Sequence, residues 1–202
     1  MELSIGIFFL IVIIMSAIIH EYSHGFAADQ LGDPTAKLAG RLTLNPLAHL
    51  DIWGSFLLPL LMYLATAGSF LFAYAKPVPF NPFNLTKSPK YGPGIVAAAG
   101  PISNIILAII FALAYRLLPA GPILPFIEII VWANLLLAIF NLIPIPPLDG
   151  SRILLVLLPH KYQEILLRIE PYGMVILIIF LFTGFQYLLP GMLFLLRILL
   201  GY

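Results

Sequence analysis

The sequence predicts an all-α polytopic membrane protein with about four to five transmembrane helices, together with segments that are re-entrant or short and strand-like. Of its 202 residues, 61% are hydrophobic and only 9% are charged, whereas a soluble domain has about 25% charged residues. Most of the apolar runs are near the length of about 20 residues that crosses a bilayer as a helix. We therefore expect residues 1–202 to form a single integral-membrane domain.

The first apolar run, residues 4–30, predicts a helix that the mature protein retains. A secretory signal would begin with a positive region, but the only charged residue ahead of this run is Glu2. No small-residue cleavage pattern precedes His20, so we interpret the run as a membrane helix rather than a signal peptide.

Residues 40–84 are less regular and predict re-entrant or strand-like structure. The stretches GRLTLNPLAHLD (Gly40–Asp51) and KPVPFNPFN (Lys76–Asn84) alternate or are interrupted by proline, a pattern typical of short edge strands. An ordinary loop is an equally good interpretation of both stretches. The apolar run Trp53–Ala75 lies between them and is long enough to span a bilayer.

Three further regions predict helices. They are residues 95–118, residues 123–143, and a C-terminal group over residues 151–202, in which Tyr172–Leu189 is near spanning length and Met192–Leu200 is too short to span alone. Between the second and third regions, three prolines interrupt the helix and a carboxylate, Asp149, follows with a glycine to turn on.

The charge and the absence of cysteine limit the possible functions. The formal net charge is +1 and the sequence has no basic stripe, so we expect no nucleic-acid partner. There are no cysteines, which excludes disulfides, thiol nucleophiles and thiolate metal sites. Any metal ion must therefore be bound by histidine and carboxylate side chains.

The motif His20-Glu21-Tyr22-Ser23-His24 places three ionisable groups at the end of the first apolar run, where such groups are costly and usually functional. On a helix, His20 and His24 lie on one face about 5–6 Å apart at Cβ and can bind one metal ion. Zinc lowers the pKa of water that it binds, and Glu21 is close enough to take the proton without being a ligand. Histidines satisfied at a membrane edge are the alternative.

A catalytic zinc site needs a third protein ligand, and the sequence offers Asp149 as the candidate. The alternative role for Asp149 is the N-cap of a helix over residues 151–158. His49 and His160 are poorer candidates because each lies beside loop-type residues outside an apolar helix. Glu128 lies inside an apolar run, but nothing near it resembles a ligand-bearing turn.

Together these motifs resemble those of the site-2 protease family of intramembrane zinc metalloproteases. The resemblance rests on the His20–His24 motif, on AGPISN (residues 99–104) at the start of a middle helix, and on NLIP (residues 141–144) with LDG (residues 148–150), in the family's order. It covers approximately residues 1–158. This chain departs from better-studied members in lacking a stretch large or polar enough for a PDZ or CBS domain, and in carrying the extra run Trp53–Ala75.

The resemblance implies an intramembrane zinc metalloendopeptidase that hydrolyses peptide bonds within or near transmembrane segments, and it assigns roles to individual residues. His20, His24 and Asp149 would bind one Zn²⁺ per chain, Glu21 would be the general base, and Asn141 would hydrogen-bond the unwound backbone of the substrate. The substrate would be a transmembrane protein or a signal peptide within the lipid bilayer. Because a substrate helix must be unwound before it is cut, we expect Gly40–Pro46 or Lys76–Pro82 to hold the unwound strand by β-addition. For Asn104 we expect a role in helix packing.

Two other functions are compatible with the same residues. One is a membrane metal-dependent hydrolase with a non-peptide substrate, which would use the same zinc and base. The other is an ion-coupled or proton-coupled transporter, in which the intramembrane histidines and aspartate relay ions. The transporter leaves the position of Glu21 beside the paired histidines unexplained.

The topology depends on whether Trp53–Ala75 crosses the membrane. If it crosses, His24 and Asp149 face opposite sides; if it dips in and returns, they share one side and the basic residues divide 8 to 2 rather than 6 to 4. The positive-inside rule favours the second arrangement, with the zinc end cytoplasmic and the N-terminus outside. The eight residues on the zinc side are then Lys37, Arg41, Lys76, Lys87, Lys90, Arg152, Lys161 and Arg168, and the other two are Arg116 and Arg197.

Overall fold

The computed structural model describes residues 2–49, 57, 61, 64 and 77–202, and the regular secondary structure in this part of the chain is helical. We label the α-helices in chain order. They are α1 (Glu2–Gln30), α2 (Thr35–Leu38), α3 (Gly92–Leu117), α4 (Leu124–Asn141), α5 (Asp149–Leu157), α6 (His160–Ile169), α7 (Gly173–Thr183) and α8 (Leu189–Leu200). Single 3-10 turns occur at Pro46–His49, Pro82–Asn84, Glu170–Tyr172 and Phe185–Tyr187.

Four helical stretches are long and apolar enough to cross a bilayer, which confirms the predicted all-α polytopic class. They cover Ser4–Gln30, Gly92–Leu117, Leu124–Asn141 and His160–Thr183. The last of these joins α6 to α7 through a 3-10 turn.

The helix boundaries differ from the predicted ones where proline and glycine act. Helix α3 begins at Gly92 and has Pro93 in its first turn. A backbone N–H group in the first turn has no acceptor within the helix, so proline is tolerated there. The run Tyr172–Leu189 is not one helix: α7 ends at Thr183, next to Gly184, a residue type of low helix propensity.

Helix α3 runs antiparallel to α1, so that the C-terminal end of α1 meets the N-terminal end of α3. His24 lies opposite Val96, and Ser16, two turns earlier on α1, lies opposite Asn104. Asn104 also contacts Asn134 of α4, so these three helices form the centre of the protein.

Helix α8 packs against α3 and α4 at the other end of the bundle. Small side chains at Ala108 and Ala112 of α3 allow the helices to approach closely. The isolated charges there have partners: Arg116 Nε donates to the carbonyl oxygen of Leu199 at 2.7 Å, and Glu128 accepts a hydrogen bond from Tyr202 at 2.8 Å. The apolar residues of this core are Ala108, Ala112, Ile127, Val131, Leu135, Leu196 and Leu200.

In the two stretches suggested as edge strands, the described residues form loops and 3-10 turns. In residues 40–49, Thr43 Oγ1 accepts from the Asn45 N–H and Asn45 Oδ1 accepts from the Leu47 N–H, so side chains replace strand partners. In residues 77–84, the residues Pro77, Pro79 and Pro82 have no N–H group to donate to a ladder. The loop interpretation therefore describes both.

The run Trp53–Ala75 lies outside the described residues, apart from Leu57, Leu61 and Leu64, and so do Leu50, Asp51 and Lys76. The prediction that this run dips into the membrane and returns stays a prediction.

The chain reverses between α4 and α5 through a proline-rich turn, in which the peptide bond between Pro146 and Pro147 is cis. A Cβ atom on Gly150 would lie 2.2 Å from the carbonyl oxygen of Leu142. Only glycine allows this close approach of the two helix ends. The approach places the first residue of α5, Asp149, next to α1.

Candidate metal centre and active site

Helix α1 brings three of the predicted site residues together. His20 and His24 are one helical turn apart with their rings edge to face at a centroid distance of 4.6 Å. One ligand atom from each of His20, Glu21 and His24 lies within 4.8 Å of the others. The i, i+4 spacing predicted this grouping, because a continuous helix fixes it locally.

Asp149 joins the two histidines from a position 129 residues after His20. Its Oδ2 atom lies 3.0 Å from His20 Nε2 and 3.3 Å from His24 Nε2. The N-cap alternative for this aspartate is not what the structure contains: Leu148 is the N-cap of α5, and Asp149 is its first residue. Its carboxylate contacts the imidazoles of α1 instead.

The opposite nitrogen of each histidine is held by a hydrogen-bond acceptor. His20 Nδ1 lies 2.7 Å from Asn104 Oδ1, and His24 Nδ1 lies 2.7 Å from the carbonyl oxygen of Val96. These partners assign the ring proton to Nδ1 in both rings, which leaves a lone pair on each Nε2. Such contacts behind a metal ligand fix its tautomer and its orientation.

Asn104 belongs to a buried polar network that the sequence analysis missed. Its Nδ2 donates to Asn134 Oδ1 at 3.0 Å and to the carbonyl oxygen of Ser16 at 3.3 Å, and both asparagines are almost completely buried. With its Oδ1 on His20, the Asn104 side chain cannot rotate without losing these bonds. The packing role expected for Asn104 was therefore incomplete; its place four residues after Gly100, on the same face of a helix, was an available signal.

The donor atoms of this group fit a zinc ion. Two Nε2 lone pairs and a carboxylate oxygen are all acceptors, and acceptors this close are stable only with a shared cation or an added proton. Two imidazoles and one carboxylate form a donor set found in catalytic zinc sites. Tetrahedral ligands with bonds of about 2.0–2.1 Å are about 3.3 Å apart, close to the separations of Asp149 from the two histidines.

Gly100 leaves the space in front of these donors open. A Cβ atom at this position would lie 2.5 Å from His24 Nε2 and 2.6 Å from His20 Nε2. The backbone of α3 can therefore face both Nε2 atoms directly, because residue 100 has no side chain.

Glu21 makes a different contact from the two histidines. Its Oε2 accepts a hydrogen bond of 2.9 Å from the backbone N–H of Val78, in the loop that follows the undescribed stretch. Asp149 contacts both histidines, whereas Glu21 is held by Val78. These contacts favour Asp149 over Glu21 as the third ligand.

The two histidines, Glu21 and Asp149 line a cleft of about 450 Å³ that is also lined by Asn141 and Arg152. Asn141 ends α4 and donates from Nδ2 to the carbonyl oxygen of Leu137 at 3.0 Å. One wall of the cleft is the loop that carries Val78. The other lining residues are Pro77, Phe80, Pro82, Val96, Ala97 and Pro147.

The poorer candidates lie elsewhere, as expected. The buried ring of His49 is hydrogen-bonded through Nε2 to the carbonyl oxygen of Thr43 at 2.8 Å. His160 begins α6 and lines a different cavity with Lys90. Glu128 pairs with Tyr202 at the far end of the bundle.

Comparison with known proteins identifies the family. The chain is 37% identical over 191 residues to the Bacillus subtilis protein "Putative zinc metalloprotease YwhC", which covers 90% of this chain and 83% of that one. The Peptidase family M50 profile matches residues 116–184, a range that contains Asn141 and Asp149 but neither histidine of α1. This chain belongs to peptidase family M50.

A second relative is "Putative zinc metalloprotease Rip2" of Mycolicibacterium smegmatis, 31% identical over 184 residues, with 89% of this chain and 69% of that protein covered. No solved structure matches the chain significantly. The resemblance to the site-2 proteases is thus confirmed, and the protein is a multi-pass M50 zinc metalloprotease whose cofactor is Zn²⁺.

Proposed function

We propose that this M50 enzyme hydrolyses peptide bonds within or near the transmembrane segments of membrane proteins or signal peptides. The observation that carries the proposal is the contact of one Asp149 oxygen with the Nε2 atoms of both His20 and His24. This donor group lies among helices that are long and apolar enough to span a bilayer. A peptidase site among membrane-spanning helices meets substrates that are themselves in the membrane.

In this proposal His20, His24 and Asp149 hold the zinc ion, which when bound acts as a Lewis acid and lowers the pKa of water. Asn104 and the Val96 carbonyl keep the two imidazoles in the tautomer that presents Nε2. The arrangement supports a rigid site, because His20 and Asn104 are both buried.

Glu21 is the general base. Its carboxylate takes a proton from the attacking water as the oxygen forms a bond to the peptide carbonyl carbon, and it returns the proton to the nitrogen of the leaving amine as the C–N bond breaks. The Val78 N–H bond to Oε2 orients the carboxylate, and the other oxygen remains for the proton.

The substrate must be unwound before its carbonyl group can be attacked, since a helix hydrogen-bonds its own backbone. Asn141 lines the cleft and spends Nδ2 on Leu137, so its Oδ1 would accept an N–H group of the unwound substrate. Residues 77–82 have few backbone N–H groups to donate to a substrate strand in β-addition. Three of these residues are prolines, and the N–H groups of Val78 and Asn81 are already bonded to Glu21 and Asp33.

We propose that the zinc site faces the cytoplasm and the N-terminus is extracytoplasmic. The division of basic residues supports this orientation. A Cβ atom on Gly25 would lie 2.9 Å from Val78 and 3.4 Å from Leu42. The chain therefore lies beside the same part of α1 before and after residues 50–76. An even number of membrane crossings between Leu42 and Val78 requires this proximity.

The test compares membrane peptides from cells that express the wild-type chain or Glu21→Gln. We expect at least one membrane protein to accumulate uncut only with the variant. A synthetic peptide of its transmembrane segment should then be cut by the purified zinc-loaded wild type in proteoliposomes and not by Glu21→Gln. Cleavage sites confined to soluble regions, or equal cleavage by both proteins, would reject the proposal.

A further inference from the structure

The carboxylate of Asp33 is fully buried just beyond the C-terminal end of α1 and receives four hydrogen bonds. The backbone N–H and hydroxyl of Thr35 donate to Oδ1. Asn84 Nδ2 also donates to Oδ1 at 3.0 Å, and the backbone N–H of Asn81 donates to Oδ2 at 2.6 Å. Burial alone would raise the pKa of Asp33, but the bonds from Thr35, Asn84 and Asn81 lower it below its usual value.

Two of these donors belong to residues 77–84, which we call the cover segment because it forms one wall of the catalytic cleft. Asp33 therefore joins the cover segment to the end of the helix that carries His20, Glu21 and His24. The adjoining chain is held to α1 as well: Lys87 donates from its backbone to Leu31 at 3.2 Å and from its side chain to Gln30 at 2.7 Å.

The Asp33 contact and the Glu21 contact are three residues apart on the cover segment. Asn81 is bonded to Asp33, and Val78 is bonded to Glu21. Pro79 lies between them with a fixed φ angle, and Phe80 packs against the buried cluster of Ala28, Leu85 and Val96. A link this short and stiff transmits a displacement of Asn81 to Val78.

We propose that Asp33 is a positioning residue that holds the cover segment so that the Val78 N–H group reaches the carboxylate of Glu21. This inference rests on the proposed role of Glu21 as the base. An ionised carboxylate suits the position because it has only acceptor sites, and the four donors use both of its oxygens. Asparagine would keep the shape but put an NH₂ group against a donor.

A structural role without effect on the base is the competing explanation, and Thr35 and Asn84 form a matched pair that separates the two. Each donates a side-chain hydrogen bond to the same atom, Asp33 Oδ1. Thr35→Val removes one bond beside α2, whereas Asn84→Ala removes one on the cover segment. Loss of stability alone would affect both variants alike.

Hydrogen exchange by mass spectrometry gives a readout that does not depend on activity. Between residues 77 and 82 only Val78, Phe80 and Asn81 have backbone N–H groups, because the other three are prolines. We expect this segment to exchange at least tenfold faster in zinc-loaded Asp33→Asn, several-fold faster in Asn84→Ala, and at the wild-type rate in Thr35→Val.

For cleavage of the synthetic transmembrane peptide, we expect kcat to fall most in Asp33→Asn, less in Asn84→Ala and not in Thr35→Val. Zinc content should be unchanged, and KM should change less than kcat. If Asp33→Asn does not fold, the comparison of Asn84→Ala with Thr35→Val decides. Equal exchange in those two variants, or faster exchange with unchanged kcat, would overturn the inference. Full activity of Glu21→Gln would instead overturn the proposed function, and the exchange result would stand apart from it.

Discussion

Substitution of Gly100 by alanine tests the metal centre at the position where α3 faces the two histidines directly. The new Cβ atom would lie 2.5 Å from His24 Nε2 and 2.6 Å from His20 Nε2, whereas ordinary contacts are 3.4–4 Å. Each ring would have to move by about 1 Å. Zinc–ligand distances vary by only about 0.2 Å, so the two rings cannot both remain ligands after such a movement.

Neither imidazole ring can move without losing a hydrogen bond. His20 is held by the buried Asn104, and His24 is held by the Val96 carbonyl. Loss of a contact behind a metal ligand alone lowers metal affinity about 10–100-fold, which corresponds to about 1.4–2.7 kcal/mol. We expect Gly100→Ala to lose at least this much zinc affinity, since it displaces the ligands themselves.

The assay is zinc per purified chain and the zinc dissociation constant from chelator competition, with folding checked by circular dichroism. Gly94→Ala is the matched control, because Gly94 is also buried in α3 and its new Cβ would meet only the side chain of Val156, at 3.2 Å. Both changes raise helix propensity by about 1 kcal/mol. Folded Gly100→Ala protein with wild-type zinc affinity would refute the proposed metal centre.

Three other predictions concern the base, the third ligand and the topology. Glu21→Gln should keep its zinc while hydrolysis falls by about 10²–10⁴-fold, the effect of a general base; loss of zinc would mean that Glu21 is a ligand. Asp149→Ala should lose zinc in metal analysis whereas His49→Ala should keep it, and full occupancy of Asp149→Ala would remove this residue from the site. Single cysteines at Leu38 and Phe83, which are 81% and 94% exposed, should both react with an impermeant thiol reagent from the cytoplasmic side only; labelling from opposite sides would mean that residues 53–75 cross.

The sequence by itself determined the features that depend on local spacing. Apolar runs of spanning length predicted the membrane helices, since hydrocarbon has no partner for an unpaired backbone group. The i, i+4 spacing placed His20 and His24 on one face of α1. The prolines after Asn141 indicated where α4 ends, because proline cannot continue a helix. Each of these inferences needs only residues that are near one another in the chain.

The tertiary structure decided the contacts between residues that are far apart in the chain. Asp149 was a candidate ligand from the sequence, but its distance from the histidines depends on the reversal at Gly150 and on the packing of α4 beside α1. No local periodicity in the sequence predicts three other features: the hydrogen bond from Asn104 to Asn134, the space at Gly100, and the hydrogen bond from the Val78 N–H to Glu21. They exist because the packing of α3 against α1 and α4, and of residues 77–84 against α1, sets which residues face each other, and short-range patterns do not encode that packing.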